Sequence, residues 1–153
     1  MANETIQQLL DIEAIKQLKG SYCRCVGIED WDTFFTLFTE DLEFVTPNDG
    51  KVHTPRSEFY KMHKASLQDP KVWGVVHCYT PLITITGPDT AHGIWGMEDV
   101  HIYPNTDPHV GHHGYGFYHE DYVRTAEGWK FKRIEVRYDR MDPLEGGFGH
   151  FAA

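Results

Sequence analysis

Positive charge is scarce in this chain. Lysine and arginine number 14 against 23 aspartates and glutamates, which leaves a formal net charge of −9. Such a surface repels phosphate backbones and anionic lipid, so neither nucleic acid nor a membrane surface is expected as a partner. Long apolar runs are missing as well, and no charged-then-apolar leader opens the chain. A soluble cytoplasmic protein is therefore expected. Cysteine is limited to three residues, too few for a disulfide framework. Cys23 and Cys25 stand two apart on a helix and point in different directions, and Cys78 reads as a reduced thiol inside an apolar strand. No glycine-rich phosphate loop, Walker pattern or dinucleotide fingerprint occurs, and no serine sits in an elbow-like context. These lacks point to chemistry without a cofactor.

What is abundant is aromatic side chain and histidine. Aromatics make up 14% of the 153 residues, and there are 10 histidines. The length suits one domain, 1–153, large enough to bury a core. An aromatic surplus either fills that core or lines a pocket for a flat, hydrophobic ligand.

Apolar residues recur at helical spacing at Ile6, Leu9, Leu10, Ile12, Ile15, Leu18 and Tyr22, and Gly27 is expected to end this helix. Asp30 reads as the N-cap of a short helix from Trp31 to Phe38. A strand at Leu42–Val45 is closed by the turn residues Pro47, Asn48, Asp49 and Gly50, and a third helix is expected over Ser57–Leu67. The second half reads as four strands: Val72–Ile85, Ala91–Tyr103, His112–Arg124 and Trp129–Arg140. Helices followed by an antiparallel meander make an α+β plan.

Alternation assigns faces. Arg133, Glu135, Arg137 and Asp139 share one side of the last strand, with Ile134, Val136 and Tyr138 on the other. In the strand before it, His112, Gly114, Gly116 and Tyr118 share a face, and the two glycines there predict strong curvature or empty volume beside the sheet. The histidines at 109, 112, 113 and 119 raise a metal site, but alternation separates His112 from His119, so no metal is expected. The glycine-rich stretch 142–153 reads as a lid or a loose end.

Tyr22-Cys-Arg-Cys-Val, Asp30-Trp31-Asp32 and Leu37-Phe38-Thr39-Glu40-Asp41-Leu-Glu-Phe44 resemble the opening of SnoaL-like proteins of the nuclear-transport-factor-2-like superfamily. Tyr118-His-Glu-Asp-Tyr122-Val-Arg124 followed by Glu127-Gly128-Trp129-Lys-Phe131 resembles their final hairpin. The resemblance spans 6–144. It implies a cone-shaped α+β barrel, with N-terminal helices on a strongly curved, mainly antiparallel sheet around one deep pocket. Members include scytalone dehydratase, bile-acid dehydratase and hexachlorocyclohexane dehydrochlorinase. The resemblance therefore implies a lyase that expels water or formaldehyde from a hydrophobic, aromatic alcohol or diol, lignin-derived or polyketide-like. A small-molecule-binding protein and a polyketide-type cyclase or isomerase are the alternatives, and a homo-oligomer, dimer or trimer, is expected.

The same resemblance places His77 at the position of the family's histidine base and Tyr22 at a pocket tyrosine. An imidazole suits that task because it titrates near neutrality, at roughly 6.5. The family's partner aspartate falls at Gly27 here, so another carboxylate must serve. Asp99, whose strand face carries Trp95, Met97 and His101, is the first choice, with Glu98 and Asp30 left open. His112 is expected to handle substrate oxygens. Trp31, Trp95, Met97, Tyr118, Val136 and Tyr138 are expected to line the pocket.

Overall fold

The computed structural model describes residues 2–47, 50–67, 73–103 and 110–145. Three helices, α1 (Ala2–Ile28), α2 (Trp31–Thr36) and α3 (Arg56–Leu67), accompany six strands. These are β1 (Phe38–Val45), β2 (Val52–His53), β3 (Trp73–Gly87), β4 (Thr90–Tyr103), β5 (Val110–Thr125) and β6 (Gly128–Glu145).

Gly27 does not end the first helix. α1 runs one residue further, and Glu29 takes the left-handed turn at φ 60°. Its N–H donates to the Val26 carbonyl at 3.3 Å, and that of Asp30 to Cys25 at 3.0 Å. This is the closing pattern that satisfies the last helical carbonyls, with glutamate where glycine is usual. Asp30 then caps α2, its carboxylate accepting from the Thr33 N–H at 3.1 Å. That role leaves Asp30 at a helix end and removes it as the replacement for the carboxylate missing at Gly27.

The buried stripe of α1 differs from the apolar one. Ile6, Leu9 and Leu10 are exposed, whereas Asp11, Ile15, Lys19, Tyr22 and Cys25 are buried. Two charges on that stripe are anchored from the sheet. Asp11 accepts from Arg124 at 2.6 Å, from Gln7 at 3.0 Å and from the Trp129 indole at 3.3 Å. Hydrogen bonding by Arg124, which outweighs burial, holds the Asp11 carboxyl below its usual range. Lys19 meets Glu120 at 2.5 Å.

The strands form one sheet in the order β2-β1-β6-β5-β4-β3. β3 to β6 are the antiparallel meander, and β1 joins β6 in parallel. The sheet is not closed into a barrel, because β2 and β3 remain its two edges. Bulges bend it: Asp139 of β6 has no register partner in β5, and Thr80 and Pro81 interrupt β3 with Thr80 at φ 45°. α1 packs against β3. The core fills the space between helices and sheet with Phe34, Phe38, Phe59, Phe131, Leu42 and Ile134, all fully buried. Phe38 meets Phe34 at 4.9 Å, Phe59 at 5.4 Å and Phe131 at 5.5 Å between centroids. Truncating one such ring to alanine costs about 3–5 kcal/mol. Much of the aromatic surplus is therefore core.

Residues 142–145, expected in a lid, instead extend β6 and pair with β5 at His112↔Pro143 and Val110↔Glu145. The remainder of that stretch, 146–153, lies outside the described residues, as does His109.

Candidate active site

β4 and β5 alternate strictly across their shared register, so Trp95, Met97, Asp99 and His101 lie opposite Tyr118, Gly116, Gly114 and His112 on the inner face. β6 adds Val136 and Tyr138 to that face. Four polar side chains meet there. The Tyr138 hydroxyl donates to Asp99 Oδ2 at 2.6 Å. The Nε2 atoms of His112 and His101 lie 3.7 and 3.9 Å from the same oxygen. The two imidazole rings meet edge to face with centroids 5.1 Å apart. Asp99 is only 3% exposed while the His112 and His101 side chains are 17% and 27% exposed. The carboxylate thus backs two imidazoles that stand nearer to solvent.

Gly114 explains how the cluster fits. A Cβ at that position would stand 2.3 Å from Asp99 Oδ1 and 2.4 Å from the Tyr138 ring. The glycine admits a carboxylate and a phenol into the space beside the strand. The empty volume expected there is filled, and curvature alone does not require the residue. Gly116 has a different cause, since its Cβ would collide with the Arg137 carbonyl.

Electrostatics follow from this packing. Burial acts to raise the Asp99 carboxyl, but hydrogen bonding by His112 and Tyr138, with the nearby imidazoles, outweighs it and leaves it below the usual carboxylate value. Burial pushes His101 below its ordinary value, with Asp99 opposing. His101 is accordingly neutral at neutral pH and able to accept a proton. A carboxylate, two imidazoles and a phenol at these distances can orient a base, take a proton and return one. One ligand atom from each of Asp99, His101 and His112 also falls within 4.8 Å of the others, a donor set suited to a divalent transition metal.

His77 is not part of this cluster. It pairs with Glu98 while its neighbours Val76 and Cys78 pair with Asp99 and Met97, so parity sends it to the outer face, where it is exposed. The expected pairing of His77 with Asp99 is therefore not made. Glu98 also faces outward, bound to His113 at 2.5 Å. His119 lies on that outer face too.

Tyr22 and Tyr118 form a second group. Their hydroxyls stand 3.5 Å apart, and Lys19 Nζ lies 4.2 and 3.5 Å from the two ring centres. Burial raises both phenols, so they remain protonated donors. Burial acts to lower the Lys19 ammonium, and the Glu120 carboxylate together with the neighbouring cysteines and Tyr22 more than compensates, keeping it charged. The other oxygen of Glu120 accepts from Tyr122, whose hydroxyl receives the Trp95 indole N–H at 2.8 Å. Trp95 is thereby a wall with a fixed orientation. Met97 and Val136 are buried between the two groups' strands, and Trp31 packs its edge on Phe34 at 5.6 Å from α2. Sequence reasoning gave no role to His101 or Lys19. The signal for His101 was its parity with Asp99; for Lys19 it was a cation at helical spacing between Ile15 and Tyr22.

Comparison with known proteins agrees with this architecture. A protein assigned as a scytalone dehydratase from Novosphingobium aromaticivorans superposes with a TM-score of 0.80 at 22% identity, over 90% of each chain. A type 3 hexachlorocyclohexane dehydrochlorinase from Novosphingobium barchaimii gives 0.77 at 16% identity, over 97% of this chain and 99% of the other. A protein assigned as a dehydratase from Streptomyces avermitilis gives 0.71 at 17%, over 84% and 97%. At these identities the likeness shows a shared fold. The model of the SnoaL-like domain matches residues 7–135, most of the chain, and the protein belongs to that family.

Proposed function

We propose that the protein is a lyase that eliminates water or formaldehyde from a hydrophobic, aromatic alcohol or diol by acid–base catalysis. The observation that carries the reading is the buried Asp99 carboxylate held by Tyr138 and backed against two imidazoles. Family membership and similarity to the dehydratase and dehydrochlorinase folds support lyase-type chemistry. In this mechanism the neutral imidazole of His101 removes the substrate proton. For loss of water His112 protonates the departing oxygen. For loss of formaldehyde His101 takes the hydroxymethyl O–H proton, the C–C bond breaks and His112 protonates the carbon left behind. Asp99 stabilises whichever imidazole is cationic. Tyr138 positions Asp99. Tyr22 and Tyr118 donate to substrate oxygens from the far wall. The protein further associates with itself through the outer sheet face, where Tyr79, Leu82 and Phe117 are exposed.

The test is mass spectrometry of products from a panel of aromatic alcohols, diols and phenols, with wild type and His112→Ala, His101→Ala and Asp99→Asn. A product lighter by water or formaldehyde, lost in the variants and unaffected by a chelator, supports the proposal. Loss of that product on chelation moves the chemistry to a metal held by the same three residues. A product of unchanged mass replaces the lyase with an isomerase or cyclase, and tight binding without turnover replaces it with a binding protein.

A further inference from the structure

The elimination chemistry uses none of the cysteines, yet Cys23 and Cys78 line a hollow that adjoins the candidate site at Trp95 and Lys19. Between α1 and β3 lies a cavity of about 280 Å³ whose lining includes Lys16, Lys19, Cys23, His77, Cys78 and Trp95. Cys23 comes from the helix and Cys78 from the edge strand, and both are free and half-buried. Both side chains line this one cavity, and each is the neighbour that most affects the titration of the other. A buried thiol normally resists ionisation. Here Cys78 and the Lys19 cation outweigh burial and lower Cys23, while Cys23 and burial push Cys78 up. The pair is thus asymmetric, Cys23 ionising below the ordinary thiol value and Cys78 above it, and both line one cavity. Cys25, two residues further along the helix, is the internal contrast. It is buried in the core and burial raises its thiol.

We propose that Cys23 and Cys78 form a redox-active dithiol site that reacts with hydroperoxides and closes to a disulfide across the α1–β3 cavity. In the first step the Cys23 thiolate attacks the outer peroxide oxygen. An S–O bond forms, the O–O bond breaks, and the departing alkoxide or hydroxide takes up a proton, leaving a Cys23 sulfenic acid. In the second step the Cys78 sulfur attacks Cys23, its proton leaves with the hydroxyl, and water departs as the S–S bond forms. Two thiols and one hydroperoxide become one disulfide, one alcohol and one water. The bond ties the helix to the sheet edge beside Lys19 and reduces the opening that the cavity offers.

The experiment treats the full chain with hydrogen peroxide, alkylates it under denaturing conditions and weighs it intact. The expected product has one alkylated thiol instead of three and is lighter by two hydrogens before alkylation. Peptide mapping joins residue 23 to residue 78, and dithiothreitol restores all three thiols. Cys25→Ser forms the same link. Cys78→Ser stops at a sulfenic acid on residue 23 that dimedone traps, and Cys23→Ser consumes peroxide at least about tenfold more slowly. Circular dichroism on each variant confirms that the fold persists. Three remaining thiols in treated wild type, a link involving Cys25, a link between two chains, or oxidation of Cys23 straight to sulfinic acid would each overturn the proposal. None of these readouts depends on turnover, so the dithiol site and the lyase reading stand or fall separately.

Discussion

Asp99 accepts its hydrogen bond from a residue 39 positions away in the chain, and that single contact organises the candidate site. Replacing it by asparagine keeps the shape and removes the charge, so turnover should fall by about 10²–10⁴-fold with the protein still folded. Because Asp99 is the group that opposes the lowering of His101, the acid limb of kcat/KM in this variant should also move to lower pH. Tyr138→Phe should cost less, about tenfold, since it removes a hydrogen bond and leaves the ions. His77→Ala, on the outer face, should leave turnover unchanged, and a large loss there would refute the placement of the site. Acid should weaken the fold through the same residues. Asp99 and His101 both titrate below their ordinary values in the folded chain. On acidification the unfolded chain therefore takes up the protons first. The contribution of His101 is complete above its ordinary value and lost as pH falls below it; that of Asp99 is lost lower, as pH falls through its folded value. Denaturant midpoints measured from pH 8 to pH 2 should decline accordingly.

Helix α1 shows what a buried charge does to an element. Lys19 and Glu120 are both fully enclosed, and Glu120 also takes the Tyr122 hydroxyl. Removing one partner, as in Lys19→Met, leaves an uncompensated carboxylate and should cost about 3–5 kcal/mol. The double change Lys19→Met with Glu120→Gln should recover part of that loss, which urea titration of the three variants would measure. At the end of the same helix Glu29 occupies a left-handed position without the freedom of glycine. Glu29→Gly should raise stability by about 0.4–1 kcal/mol, because a strained backbone is relieved. Apolar spacing alone did not reveal which face of α1 is buried. Ile6, Leu9 and Leu10 fit a helical period, yet the contacts that seat the helix are an ion pair at Asp11 and another at Lys19. Hydrophobic patterning carries no information on charges whose partners lie more than a hundred residues away.

For the molecule as a whole, strand order was the less legible quantity and strand content the more legible. The four strands of the meander, the cap at Asp30 and the turn at Gly128 follow from local alternation and turn residues. The parallel insertion of β1 beside β6 has no local sequence signature, since it depends on a crossover that closes the core around Phe38 and Phe131. The site is legible to the same extent. The parity of β4 brings Asp99 and His101 to one side, whereas His77 depends on the register of an interrupted edge strand. The outer face offers a prediction at this scale. Leu82, 72% exposed, belongs with Tyr79 and Phe117 on that face. On the proposed self-association, Leu82→Glu should lower the sedimentation coefficient towards that of a monomer, and an unchanged value would count against a contact on this face.

An open sheet exposes backbone along its last strand, and β3 is long enough at 15 residues to serve as a template for another chain. The interruption at Thr80 and Pro81 divides that template into two short pieces and withholds one N–H from any strand that would add to it. Straightening the strand with Thr80→Val and Pro81→Val would offer an unbroken, β-branched edge to incoming chains. Its consequence is expected in solution as concentration-dependent thioflavin-positive aggregation. The kink that disturbs the register of β3 should thus also guard that edge against strand addition.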